Sequence, residues 1–367
     1  MVYTGGGIMK VLLYNRSWRF VKQSGVGHAI LHQKEMLNTV GVETTHEWDE
    51  DADVIHINTV FPDSLFAIWK ARRRGMKIIV YAHSTMEDFR NSFPLSNTLA
   101  PLFLKWIRFL YQKGDLVLTP TPYAKSLLEG YGVTRPIEAI SNGVDLERFS
   151  PGPGKRELFR ERYGIDRKAT VVSSAGLFIE RKGILDFLEL ARRMPEVSFL
   201  WFGRTPRSLM TLRIKRAMRA IPSNVRFPGF LDQETLSRAY CASDMFLFPS
   251  YEETEGIVVL EALSSNVPVI VRDIPVYSSW LTHEKDAYKA KDLKEFESAV
   301  KKIRSGALPY LPAFGHKVVQ RRSLPRIGER LVEIYQRYGI KVGTPGNERL
   351  QHPYRLAIES LVQTIRS

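Results

Sequence analysis

Pro151-Gly152-Pro153-Gly154 breaks an alternation of short apolar runs and helix-length segments, and Thr170-Val171-Val172-Ser173-Ser174-Ala175 starts it again. Clustered Pro and Gly punctuate a chain. Strands alternating with helical segments on both sides of the break predict two parallel sheets covered by helices. Upstream, Val11–Tyr14, Val54–Asn58, Lys77–Ala82, Leu116–Thr119 and Pro136–Ile140 read as buried parallel strands. Downstream, Thr170–Ala175, Ser198–Phe202, Val225–Phe227, Met245–Phe248 and Val267–Val271 do the same. The expected fold is α/β: two doubly wound, Rossmann-like units, residues 1–152 and 153–317. Residues 318–367 follow as a helical C-terminal segment, with a possible last helix from Tyr354 to Ile365. Ligands of such sheets bind at the carboxyl ends of the strands, here in the cleft between the units.

Length agrees, since 367 residues are two domains at roughly 100–200 residues each. Apolar residues at 44% and charged ones at 25% supply packed cores and exclude global disorder. The 53 Lys and Arg against 39 Asp and Glu leave +14. Residues 1–150 hold 17 basic and 15 acidic side chains, so the excess lies downstream. Such a charge suits a polyanion, an anionic membrane or a phosphorylated substrate. Cys241 is the only cysteine, which excludes an internal disulfide and a four-cysteine zinc site and suggests a reducing, cytoplasmic compartment. No apolar run approaches the roughly 20 residues of a membrane span. Met1 to Ile8 lacks the pattern of a secretion signal, and Met9, just before the first strand, is a candidate start.

Three strand-to-helix turns carry candidate chemistry. Ser24-Gly25-Val26-Gly27 follows the first strand, where Gly25 and Gly27 let backbone N–H groups approach a phosphate. A plain structural turn explains the glycines equally well, and Ile30 in place of a third glycine argues against a dinucleotide fingerprint. In the second unit Arg181-Lys182 lies at a helix start, where positive charge opposes the helix dipole by roughly 0.3–1 kcal/mol each. A bound diphosphate would remove that conflict. The third turn, Phe248-Pro249-Ser250-Tyr251-Glu252-Glu253-Thr254-Glu255-Gly256-Ile257, crowds three carboxylates and sets Glu261 among apolar helix residues. Crowded acceptors suit the neutral hydroxyls of a sugar nucleotide; an acidic helix start explains the loop but poorly explains Glu261. Asp49-Glu50-Asp51-Ala52-Asp53 precedes a strand and reads as a solvated loop. His83 lies at a strand end, where parallel sheets bind ligands, and His28 and His56 lie near others; without a partner, any one of the three reads as structural rather than catalytic.

With these residues in hand, the chain resembles the retaining glycosyltransferases of family 4, which have the GT-B fold, from about Lys10 to Gly339. Glu253 and Glu261 match the family's two glutamates separated by seven residues, and Asn142-Gly143-Val144-Asp145 with Phe149 matches its segment before the hinge. A closer similarity runs to the diglycosyl-diacylglycerol synthases of Gram-positive bacteria. It is carried by His56-Ile57-Asn58-Thr59, His83-Ser84-Thr85, Glu87-Asp88-Phe89, Ala175-Gly176-Leu177-Phe178, Glu252 to Ile257 and Arg272-Asp273-Ile274-Pro275-Val276-Tyr277. The resemblance implies that Glu261 grips ribose hydroxyls and Glu253 a hydroxyl of the donor hexose. Backbone around Glu255, Gly256 and Ile257 would hold sugar and diphosphate, Arg181 and Lys182 would neutralise the diphosphate, and His83 would touch the sugar. Gly25 and Gly27 would close over it from the first unit. Two departures stand out: Gly176-Leu177 where many members have Gly-Arg, and Thr254-Glu255 where Gly-Phe is common.

The implied activity is transfer of glucose or galactose from a UDP-sugar to a glycolipid, monoglucosyl-diacylglycerol, without cofactor or metal. Front-face attack would need no side-chain nucleophile. Leu99 to Leu110 places Trp106 and Phe109 beside Lys105 and Arg108, as in an interfacial helix that would hold the enzyme on the inner, anionic membrane surface. Met210, Ile214, Ala217, Met218 and Ile221 form a second stripe opposite Arg213, Lys215, Arg216 and Arg219. For each, an ordinary amphipathic core helix is the plain alternative. The competing functions are a soluble or polysaccharide acceptor, an epimerase on the same fold, and nucleic-acid binding; zinc-finger spacing and RNA-recognition motifs are missing from the sequence.

Overall fold

The computed structural model describes residues 9–308 and 311–340; Tyr354 to Ile365 lies outside them. Two six-stranded sheets, parallel throughout, form the molecule. The first runs β2-β1-β3-β4-β5-β6, from β1 (Lys10–Tyr14), β2 (Glu43–Thr45), β3 (Val54–Ile57), β4 (Lys77–Tyr81), β5 (Leu116–Thr119) and β6 (Ile137–Ala139). The second runs β12-β11-β10-β7-β8-β9, from β7 (Val171–Ala175), β8 (Ser198–Phe202), β9 (Val225–Gly229), β10 (Met245–Phe248), β11 (Val269–Arg272) and β12 (Tyr288–Ala290). The edge strands β2 and β12 escape the sequence reading. Each has three residues, and Glu43-Thr44-Thr45 offers no apolar run.

The chain order reverses between β1 and β3 in one sheet and between β7 and β10 in the other. Crevices at such switch points are where open α/β sheets bind ligands. The turns holding Gly25, Arg181 and Glu253 follow β1, β7 and β10 respectively. Central strands such as Val54–Ile57 and Met245–Phe248 are buried on both faces, which is why they read as near-continuous apolar runs.

The last described helix, Leu324–Arg337, belongs spatially to the first sheet. Its Leu324, Ile327, Leu331, Ile334 and Tyr335 share a core with Val11, Leu13, Met36 and Leu37. That one-sided apolar stripe is what a helix needs to cover a sheet. Tyr335 also hydrogen-bonds His56 on β3, whose pKa burial lowers to about 3, so this histidine is a neutral core group.

Among the described residues no helix is long and apolar enough to cross a membrane. Helix Ser96–Tyr111 forms where the interfacial segment was expected, but Trp106 is not a free membrane anchor. Its indole donates to the Val60 carbonyl at 2.6 Å and its ring packs on the core of the first unit. Phe109 and Leu102 remain exposed, as do Lys105 and Arg108. The 210–221 stripe is largely core as well. Helix Leu212–Ala217 spans six residues, and Ile214 is buried with Met210, Ala217 and Met218 against the second sheet.

Candidate active site

Arg181 and Lys182 occupy a 3-10 turn, Glu180–Lys182, just before helix Ile184–Arg193. Their conflict with the helix dipole is met by carboxylates in this structure. Lys182 Nζ lies 2.5 Å from Glu253 Oε1, and Arg181 Nη1 lies 2.7 Å from Asp88 Oδ1 and 3.7 Å from Glu253 Oε1. Arg181 also donates to Ser92 Oγ at 3.1 Å and to the Glu252 carbonyl at 2.7 Å. Asp88 and Ser92 come from the first unit and Arg181 from the second, so this ion network spans the cleft.

Burial lowers the pKa of Lys182, although Glu253 opposes the effect. Burial would raise Glu253, but Lys182 and Arg181 hold it below the usual carboxylate value, and Ser250 Oγ adds a bond at 2.6 Å. Glu253 is thus ionised and Lys182 remains its partner. Breaking one member of a buried pair leaves an uncompensated charge. A ligand entering here must therefore exchange charges, offering anionic oxygens to the cations and hydroxyls to Glu253.

The three crowded carboxylates do not converge on one ligand, which corrects that reading of the loop. Glu255 turns away: its Oε1 accepts from Ser141 Oγ at 2.5 Å and its Oε2 from the Asn142 N and Nδ2 at 2.9 and 2.8 Å. Its side chain fastens the loop to the end of the first unit, leaving only its backbone for a ligand. Glu252 sits opposite Tyr123 of the first unit, and burial, reinforced by Asp88, Glu253 and Glu87, raises its pKa to about 7. The loop is thereby pulled in three directions. Thr121 Oγ1 donates to the Thr254 carbonyl at 2.8 Å and adds another bridge.

Gly256 precedes helix Ile257–Ser264 at φ +90°, where a Cβ would meet the Tyr277 hydroxyl at 3.0 Å. No side chain caps this helix, so its first N–H groups, beginning at Ile257, lack a side-chain partner. Glu261 lies one turn further on, wholly buried. Its Oε2 accepts from Tyr240 OH at 2.9 Å, while Oε1 has no hydrogen-bond partner and stands 3.7 Å from His28 Nδ1 of the first unit. A buried carboxylate oxygen without a donor is expensive. That oxygen is free to accept from a hydrogen-bond donor.

On the first unit, Gly25 starts helix Gly25–Thr39 with open space where a Cβ would stand. Gly27 has a different reason to be glycine: a Cβ there would meet the Val21 carbonyl at 2.4 Å. His83 Nε2 is 3.0 Å from Asn58 Oδ1, which also accepts from Gln33 Nε2 at 2.6 Å. With that oxygen as acceptor, the ring proton sits on Nε2 and Nδ1 is left as an acceptor. Burial lowers His83 to about 4, so it is neutral at physiological pH. The structure brings His83, Arg181, Lys182, Glu253 and Glu261 to the facing ends of the two sheets. Trp106, Phe109, Lys105 and Arg108 lie elsewhere, on helix Ser96–Tyr111. Asp88, Ser92, Tyr123, Ser141 and Tyr240 are partners that no spacing in the sequence singles out, because each acts across the fold.

Comparison with known proteins identifies two family models: Glycosyltransferase Family 4 over residues 42–148 and Glycosyl transferases group 1 over residues 155–306. The chain is 40% identical over 329 residues to the processive diacylglycerol alpha-glucosyltransferase of Acholeplasma laidlawii, covering 89% of this chain and 98% of that one. It is 30% identical to the alpha-galactosylglucosyldiacylglycerol synthase of Streptococcus pneumoniae, over 62% of each chain. In structure it is similar to HepE of Anabaena in complex with UDP-glucose, with a TM-score of 0.73, 14% identity, and coverage of 90% of this chain and 100% of that chain. WaaG, a glycosyltransferase involved in lipopolysaccharide biosynthesis, superposes with a TM-score of 0.64 at 14% identity, over 89% of this chain and 99% of that one. Two facing doubly wound units, the paired glutamates at the second switch point and a full-length relative lead to one conclusion: this chain belongs to glycosyltransferase family 4 and has the GT-B fold.

Proposed function

We propose that the protein is a retaining hexosyltransferase that moves glucose or galactose from a UDP-sugar to a glycolipid acceptor, monoglucosyl-diacylglycerol, forming a diglycosyl-diacylglycerol. The observation that carries the donor half is the Arg181–Lys182–Glu253 cluster beside the unsatisfied Glu261 oxygen. A nucleoside diphosphate sugar answers every feature of it. Diphosphate oxygens take Arg181 and Lys182, the released Glu253 accepts from a hexose hydroxyl, and ribose hydroxyls donate to Glu261 Oε1. The acceptor half rests on the relatives, whose names specify diacylglycerol glucosyl and galactosyl transfer.

In this reading the bond from the anomeric carbon to the diphosphate oxygen breaks while the acceptor oxygen bonds the same carbon on the same face. The acceptor proton passes to the departing phosphate oxygen. Fixed cations and the N-terminal amides of helix Ile257–Ser264 stabilise the charge growing on that diphosphate, so no resident metal is required. His83, neutral with Nδ1 as acceptor, orients a sugar hydroxyl. The enzyme works from the cytoplasmic face of the membrane through the first unit. Besides Leu99, Leu102 and Phe109, that unit exposes Phe20, Phe66 and Trp69, with Arg73 stacked on Trp69.

The test is incubation with UDP-glucose or UDP-galactose and either monoglucosyl-diacylglycerol or bare diacylglycerol, with NMR of the product's anomeric configuration. An α-linked diglycosyl lipid is expected, formed equally in chelator. Absence of transfer from both donors to both lipids, a β-linked product, or activity that needs added metal would overturn the corresponding part.

A further inference from the structure

Between the two units lies a second concavity of about 790 Å³, within the roughly 300–1,000 Å³ range of small-molecule sites. Of the residues placed in the donor cleft, only Glu255 borders it. Its walls come from three parts of the chain: Thr121 and Ser141 of the first unit, Ser278 and Thr282 of the second, and residues 317–330, where the chain passes from helix Pro312–Gln320, packed on the second unit, into helix Leu324–Arg337 on the first.

Five cations line it, Lys285, Lys317, Arg321, Arg322 and Arg330, against two carboxylates. Both carboxylates are engaged already. Glu255 is held by Ser141 and Asn142, and Asp286 accepts from the Thr282 N–H at 3.0 Å. Arg330 spends a donor on the Ala139 carbonyl at 3.2 Å, and Arg322 one on the Val318 carbonyl at 3.3 Å. The Arg322 guanidinium lies 5.0 Å from the centre of the Trp280 ring, and burial, with Arg330 and Arg321 nearby, lowers its pKa although Glu255 and Asp286 oppose the shift. Trp280 itself is 8% exposed, and its indole N–H has no acceptor. Like charges gathered in a concavity repel one another and attract a counter-ion. A buried donor left unpaired is likewise costly. One anion with several oxygens would relieve both.

We propose that this cavity is a second anion site, taking a phosphate-bearing ligand that bridges the two units. Arg321, Arg322 and Lys285 supply the charge, and the Trp280 indole and the Ser278 and Thr282 hydroxyls supply neutral donors. Phosphate fits better than a single carboxylate because its oxygens accept from several walls at once. Glu255 couples the site to the cleft. Its carboxylate holds the end of the first unit, and its backbone belongs to the loop that carries Glu253. A ligand that draws the walls together favours the closed cleft, and by reciprocity a bound donor tightens the second site.

The full chain is titrated calorimetrically with inorganic pyrophosphate at constant ionic strength. Two binding events are expected for the wild type. Arg321→Gln with Arg322→Gln should weaken one of them at least tenfold and leave the other, whereas Arg181→Gln with Lys182→Gln should do the reverse. Lys285 is exposed, so Lys285→Gln tests the site without burdening folding, with an expected loss of about threefold or more. Glycerol phosphate and dihexanoylphosphatidylglycerol then separate the sources. Competition by both at similar concentration identifies a free phosphate ester, and competition tenfold stronger by the lipid identifies a phospholipid head group. A single binding event abolished by the cleft pair, unchanged affinity in Lys285→Gln, or competition by neither compound overturns the proposal.

Discussion

Glu261 should control affinity for the nucleoside and little else. Its carboxylate is wholly buried, one oxygen is held by Tyr240 at 2.9 Å, and the other has no hydrogen-bond partner. A ribose hydroxyl donating to that oxygen makes a charge-assisted bond of about 1.5–3 kcal/mol, or roughly 10- to 150-fold in affinity. Glu261→Ala should therefore weaken UDP and uridine by the same factor, since the lost contact is to the part they share. Glu261→Gln keeps an acceptor for Tyr240 but loses the charge, so its loss should be smaller, on the order of fivefold. Lys182→Ala gives the contrasting pattern, weakening UDP while sparing uridine. Calorimetric titration reads both ligands, and thermal melts confirm that each variant is folded, since Glu261→Ala also leaves the Tyr240 hydroxyl unpaired at about 1–3 kcal/mol. Equal UDP affinity in wild type and Glu261→Ala would refute the reasoning.

Arg181→Ala with Lys182→Ala should lower transfer at least tenfold, because about 1.5–3 kcal/mol per charge-assisted contact is lost from the departing diphosphate; unchanged turnover in the folded variant contradicts the assignment. Glu253→Ala should depress kcat more than it raises the KM for the donor, as expected of a group that places the hexose, and steady-state kinetics distinguish this from the opposite pattern. Glu252 keeps its proton to about pH 7 in the folded chain, whereas the unfolded chain loses it near 4.5. The wild type should therefore lose stability relative to Glu252→Gln as pH rises from 4.5 through 7, and a melting-temperature gap constant between pH 5 and 8 argues against the buried carboxyl. Leu102→Ser with Phe109→Ser should reduce sedimentation with anionic vesicles at low and high salt, while Trp106→Ser should lower melting temperature because its indole is tied to Val60; vesicle binding indifferent to the exposed pair removes that helix from the membrane surface.

What was legible from sequence alone is the part governed by local chemistry. Buried parallel strands must be apolar over their whole length, so ten of the twelve strands stood out as runs, and Pro151 to Gly154 marked the restart. The spacing of Glu253 and Glu261 survives as a loop and a helix turn because both lie on one continuous strand-to-helix element. Only the tertiary structure decided which partner each charge meets. Asp88 on Arg181, Asn142 on Glu255 and Tyr240 on Glu261 are separated from them by 93, 113 and 21 positions, and hydrogen bonding at such range leaves no periodic trace. The same holds for Trp106 and Ile214. An amphipathic pattern states that a face seeks an apolar neighbour, and only packing determines whether that neighbour is the protein's own core or a membrane.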